Sequence, residues 1–199
     1  MLIAIAGRRG SGKSATAQHL VASHGFLETS FAAPLKEAVQ KWFGLSNEQV
    51  YGDYVTKEAI DRRWQVSPRQ LLQVIGTDLI RHQLPQLLPD LEQSLQGESL
   101  WVRILEEQIR ENLQAGKRVV VSDLRFSDEE AMIRRLGGSV WWIQRGDSND
   151  KEPQMHASEK GPWCQGIPSY VWRIQNNKSI HDLHSNIDSV ISQIRRSDV

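Results

Sequence analysis

Six residues into the chain, Gly7-Arg8-Arg9-Gly10-Ser11-Gly12-Lys13-Ser14 fits the pattern G-x-x-x-x-G-K-[ST]. It follows the apolar run Leu2-Ile3-Ala4-Ile5-Ala6 and precedes a helical stretch from Ala15 to Ser23. That strand–loop–helix setting is the one in which such a loop binds phosphate. Gly7, Gly10 and Gly12 let consecutive backbone N–H groups turn inward around a polyphosphate, aided by the positive end of the following helix. Lys13 is then expected to reach the β- and γ-phosphates and Ser14 to ligate Mg²⁺, with Ser11 and Ala15 completing the cradle. Arg9 either adds a phosphate ligand or stays in solvent.

A phosphate loop alone does not choose between a kinase, a GTPase and a motor. Val121-Ser122-Asp123-Leu124-Arg125-Phe126 places Asp123 at the carboxyl end of a buried strand, the edge at which doubly wound sheets bind ligands. Asp123 is expected to hold a Mg²⁺-bound water or orient a charged partner, and Arg125 to reach the transferring phosphates. The plainer reading is an Asp that caps a turn and an Arg in solvent. In the helix after Ser67, Gln73, Thr77 and Arg81 recur at i, i+4 and i+8, opposite Leu72, Ile75 and Leu79. With Arg69 at its start, this polar stripe suits a nucleoside monophosphate or is simply a solvated face. Gly76 inside it hints at close packing. Arg145 leads into a polar segment containing His156, Ser158, Glu159 and Lys160, which reads as a lid or as an ordinary loop. No His/Cys spacing in the chain resembles a metal site.

The elements that must position these residues alternate between strand-like and helix-like, which predicts an α/β, doubly wound, mostly parallel sheet. The strands are expected at Leu2–Ala6, Phe26–Phe31, Arg118–Val121, Val140–Ile143 and Val171–Ile174. Helices are expected near 12–23, 33–43, from 68 onward, 100–114 and 127–136, with a final one after Ser179. Ser67 with Gln70, Ser127 with Glu130 and Ser179 with Asp182 are the predicted caps. Leu183, Ile187, Val190, Ile191 and Ile194 form the inward stripe of the last helix.

The 199 residues suffice for one large domain, 1–199. Twenty-four basic and 24 acidic residues cancel, which gives no support to a nucleic-acid or membrane-surface partner. The single cysteine, Cys164, excludes an internal disulfide and suggests a reducing compartment. No apolar run is long enough to span a bilayer and the start does not read as a signal peptide, so a cytoplasmic protein is expected. Monomer and homodimer both remain open.

These residues together resemble the phage-type deoxynucleoside monophosphate kinases, within the nucleoside monophosphate kinase group of P-loop enzymes. The likeness rests on Gly7–Ser14, Ser30-Phe31-Ala32 with Pro34-Leu35-Lys36, and Ser67-Pro68-Arg69 through Leu71-Leu72-Gln73. It continues through Gly76-Thr77-Asp78 with Arg81, Asp123-Leu124-Arg125-Phe126 with Glu129, His156 with Ser158-Glu159, and Asn176. The resemblance implies transfer of the γ-phosphoryl group of ATP, with Mg²⁺, to a deoxynucleoside 5′-monophosphate. It implies a helical monophosphate-binding insertion over about 32–100, holding Lys36, Arg69, Gln73, Thr77 and Arg81, with Glu129 as a further substrate ligand. It implies Asp123 and Arg125 at the catalytic edge, Arg145 in a lid over about 145–168, and Asn176 by the adenine. A related small-molecule kinase acting on dephospho-coenzyme A, or a nucleotide-dependent switch, are the competing readings.

Overall fold

The computed structural model describes residues 1–146 and 167–197. The chain divides into two compact units, one of Met1–Ser30 with Leu105 onward, the other of Phe31–Ile104.

The first unit is built on five strands: β1 (Leu2–Ala6), β2 (Phe26–Thr29), β3 (Arg118–Val121), β4 (Ser139–Gln144) and β5 (Trp172–Gln175). They lie in the order β2-β3-β1-β4-β5 and every pairing is parallel. Central β1 is LIAIA with all five residues buried, the uninterrupted apolar run that a strand covered on both faces requires. Ile3 registers with Val120 of β3 on one side and Ser139 of β4 on the other. Around this sheet run α1 (Lys13–His24), α8 (Leu100–Gln114), α9 (Ser127–Arg135) and α10 (Ile180–Ser197), the unit boundary falling inside α8. Ile3, Ile5, Leu20, Trp141, Ile174 and Leu183 meet in the core, with Ile187 and Ile191 from α10. Val190 and Ile194 pack partly buried against it, so the inward stripe of α10 forms as its periodicity predicts.

The caps divide. Ser179 and Asp182 form the expected reciprocal pair: the Ser179 N–H donates to Asp182 Oδ2 (3.1 Å) and the Asp182 N–H to Ser179 Oγ (3.2 Å). At α9 the expected pair is corrected. Helix α9 starts one residue earlier than a Ser127 cap would place it, and Glu129 takes the capping role. Its Oε2 accepts the N–H groups of Arg125 (2.8 Å) and Phe126 (3.1 Å). Glu130 instead accepts the Tyr170 hydroxyl at 2.6 Å.

The second unit is helical: α2 (Ala33–Phe43), α3 (Asn47–Tyr51), α4 (Tyr54–Glu58), α5 (Pro68–Gln73), a π-helix (Val74–Gln83), α6 (Leu84–Leu87) and α7 (Pro89–Leu95). Between α4 and α5 the chain is folded around Asp61. This carboxylate takes both Nε (3.0 Å) and Nη2 (2.7 Å) of Arg63 and the Gln49 amide (2.8 Å). The hydrogen bonds from Arg63, chiefly, and from Gln49 hold Asp61 far below the ordinary carboxylate range. No described helix is long and apolar enough to cross a membrane.

Candidate active site

The loop from Gly7 to Gly12 leaves the carboxyl end of β1, where the chain connections on the two sides of the sheet diverge and ligands bind in such folds. Two of its glycines are obligatory. Gly7 (φ 149°) and Gly12 (φ 108°) hold left-handed backbone, and a Cβ at Gly12 would lie 2.4 Å from the Asn176 amide. Lys13 folds back over the loop, its Nζ donating to the carbonyls of Gly7 (2.8 Å) and Arg8 (2.9 Å). Ser11 Oγ is buried without a hydrogen-bond partner among the described residues. Ser14 lies exposed in the first turn of α1, and Arg8, Arg9 and Gly10 are exposed as well.

Asn176, expected beside an adenine, is tied to the phosphate loop. It is buried just after β5, and its side-chain amide donates to the Ser11 carbonyl at 2.7 Å. Its backbone N–H donates to Gln144 O at 2.7 Å. The residue therefore braces the loop from the β4–β5 edge, and its donor is directed at backbone.

At the end of β3, Ser122 N–H is tied to Thr29 O and Leu124 N–H to Ile5 O, both at 3.1 Å, fixing Asp123 between two strand ends. Arg125 follows, its backbone held by Glu129. Glu129, expected as a substrate ligand, is only 2% exposed and sets the turn that carries Arg125. Arg145 stands exposed just beyond β4. His156, Ser158, Glu159 and Lys160, and nearly all of the expected lid, lie outside the described residues.

In the second unit three cations gather. Arg69, at the start of α5, pairs through Nε with Glu58 Oε1 at 2.7 Å and lies 5.7 Å over the Tyr54 ring. Lys36 of α2 lies 5.3 Å over the Tyr51 ring. Lys57 of α4 is pushed below the ordinary lysine range by partial burial and then by the charges of Lys36 and Arg69, with Asp53 opposing. Sequence spacing gives no signal for Lys57; it joins Lys36 and Arg69 only because α2, α4 and α5 pack together. Like charges gathered this way repel, and a phosphate among them would remove the cost.

The polar stripe at Gln73, Thr77 and Arg81 falls at the α5–π-helix junction and within the π-helix. Its expected apolar counterpart is corrected. Leu79 is 43% exposed, while Thr77 is 6% exposed and Gly76 is buried. Ten residues of i→i+5 winding turn the faces away from the 3.6-residue pattern, and π-helical turns concentrate at functional sites. Gly76 meets Leu35, whose Cδ2 would be 2.4 Å from a Cβ, and its carbonyl accepts the indole N–H of Trp101 at 3.0 Å.

A glycine-rich loop after the central strand of a 2-3-1-4-5 parallel sheet, closed by its own lysine, defines a P-loop kinase fold. A solved dephospho-CoA kinase from Campylobacter jejuni shares it, with a TM-score of 0.51 and 16% identity over all of this chain and 98% of that one. Residues 52–187 match the family model described as "Deoxynucleotide monophosphate kinase". A protein of Acanthamoeba polyphaga mimivirus, provisionally named a deoxynucleotide monophosphate kinase, is 40% identical over 195 residues, which are 96% of each chain. The chain belongs to the deoxynucleotide monophosphate kinase family.

Proposed function

We propose that the chain transfers the γ-phosphoryl group of ATP to a deoxynucleoside 5′-monophosphate, giving the diphosphate and ADP. The observation that carries this is the phosphate loop at the head of β1, with Lys13 closed over it, in a chain of this family. Gly7, Arg9, Gly10, Ser11, Gly12, Lys13, Ser14 and Ala15 serve the donor triphosphate, and Asn176 keeps the loop in shape for it. Lys36, Arg69, Gln73, Thr77 and Arg81 serve the acceptor, joined by Lys57.

An oxygen of the monophosphate attacks the γ-phosphorus while the bond to the β–γ bridging oxygen breaks, and ADP departs with those electrons. The attacking oxygen is already anionic, so no general base is needed and the work is positioning and charge neutralisation. Lys13, Arg125 and Arg145 supply that charge, and Glu129 acts through Arg125 as a positioning residue. The loop and its surroundings fit Mg²⁺ with ATP: the Ser14 hydroxyl and the Asp123 carboxylate are oxygen donors of the kind a hard dication takes. Mg²⁺ bound there would neutralise phosphate charge. In this reading 31–104 is the monophosphate-binding insertion, and Arg145 opens the lid.

The test is a coupled assay of ADP release with ATP and Mg²⁺, offering each deoxynucleoside and ribonucleoside monophosphate in turn. Rapid turnover with one or more deoxynucleotides, lost in Lys13→Ala, is the expected result. If no monophosphate raises ADP release above the rate without acceptor, the reading fails.

A further inference from the structure

The far end of α1 from the phosphate loop carries a group of side chains that the kinase chemistry does not use. His24 is the last residue of α1, eleven positions beyond Lys13, or roughly 16 Å at the α-helical rise. His19 lies on the same helix, and both imidazoles turn their Nε2 toward one atom, Asp188 Oδ1 of α10, at 2.7 Å each. The three ligand atoms all lie within 4.8 Å of one another. Behind them, Ser23 Oγ lies 3.3 Å from His19 Nδ1, and His184 stacks on the His19 ring with centroids 4.0 Å apart.

We infer that His19, His24 and Asp188 form a binding site for a transition-metal dication of the Zn²⁺ type, joining the end of α1 to α10. Two imidazole nitrogens and one carboxylate oxygen are the donor set such ions select, and Mg²⁺ does not. Tetrahedral Zn²⁺ bonds of ~2.0–2.2 Å need ligand atoms some 3.3 Å apart. Opening the two 2.7 Å contacts by about half an ångström supplies that spacing between the carboxylate and each imidazole. The two imidazole ligand atoms have at most 4.8 Å to close from, and Asp188, whose side chain is 51% exposed, has room to move. The outer shell is also in place: with Nε2 on the metal, Nδ1–H of His19 donates to Ser23 Oγ, which orients the ring. Three protein ligands leave a fourth position for water. The spacing of His19 and His24 in sequence carries no such signal, because the third ligand arrives from 164 residues away.

The test uses the full chain, free of any polyhistidine tag and without nucleotide, which would chelate the metal. Zn²⁺ is titrated against the melting temperature, and Co²⁺ against the visible spectrum. A Tm rise of roughly 5 °C or more is expected at a hundredfold excess of Zn²⁺ over its Kd, together with the intense bands of four-coordinate Co²⁺. Mg²⁺ at millimolar concentration should give neither. In the double variant His19→Gln/His24→Gln each amide still donates to Asp188 but is a poor zinc ligand, so the fold stays and both signals vanish. His24→Gln alone should weaken binding at least tenfold. A wild-type chain that shows neither response, or a double variant that keeps both, overturns the site.

Discussion

Lys13 has two partners that change with the chemistry: the carbonyls of Gly7 and Arg8 that it holds in the structure, and the transferring phosphoryl group that the proposed reaction brings. Lys13→Ala should lower kcat by about 10²–10³-fold, the usual effect of losing one charge that stabilises a transition state. Urea melts run in parallel would separate this from loosening of the loop. Lys57 is argued differently. Its charge is costly where it stands, beside Lys36 and Arg69, so it should act on binding of the acceptor phosphate more than on the chemical step. Lys57→Gln is expected to raise KM for the monophosphate about tenfold, the effect of one ion pair of ~1.4 kcal/mol, and to leave KM for ATP unchanged. An equal rise in both KM values would mean that Lys57 supports the fold and does not meet the acceptor.

The elements differ in how far they could be read in advance. The strands β1 and β3 are short apolar runs whose two faces are both buried, and local hydrophobicity is all that such strands require. The loop after β1 was equally legible, since the constraint on its glycines is local backbone geometry. The π-helix was not: Leu72, Ile75 and Leu79 satisfy an α-helical stripe, and nothing local reports the change of winding that leaves Leu79 exposed. The cap that Glu129 makes is not legible either, because a carboxylate at that position looks the same in sequence whether it meets a ligand or caps a helix. Asn176 and Lys57 depend on contacts between distant elements, which no spacing encodes. The π-helix also carries its own test. Alanine normally improves on glycine inside a helix by about 1 kcal/mol. At Gly76 the new methyl would meet Leu35, itself buried, while the Trp101 indole pins the Gly76 carbonyl. Gly76→Ala should therefore destabilise by about 1–3 kcal/mol, as overpacking does. In a Leu35→Ala background the same substitution should cost less than half as much, and an unchanged cost would place the conflict elsewhere.

Across the whole molecule the charges cancel at neutral pH, so acid does more than discharge a surface: it removes carboxylates that each unit uses to hold itself together. In the second unit Asp61 gathers Arg63 and Gln49 around the turn that precedes α5. In the first, buried Glu106 accepts from Arg110 at 2.5 Å and from Arg135 at 2.7 Å, tying α8 to α9. Burial alone would raise the pKa of Glu106, but the hydrogen bonds from Arg135 and Arg110 outweigh it and hold the group below its ordinary value. A carboxyl with a lower pKa folded than unfolded adds stability that is fully present above the unfolded value, about 3.9 for Asp and 4.3 for Glu. That stability is lost as pH falls toward the folded value. The urea midpoint should therefore vary little with these groups from pH 7 to 5 and drop steadily below about pH 4. Asp61→Asn and Glu106→Gln should each start from a lower midpoint at pH 7 and fall less steeply below about pH 4, the gap to the parent narrowing as pH falls toward the folded values. Curves that stay parallel to the parent down to pH 2.5 would show that these substitutions remove packing and not a titrating interaction.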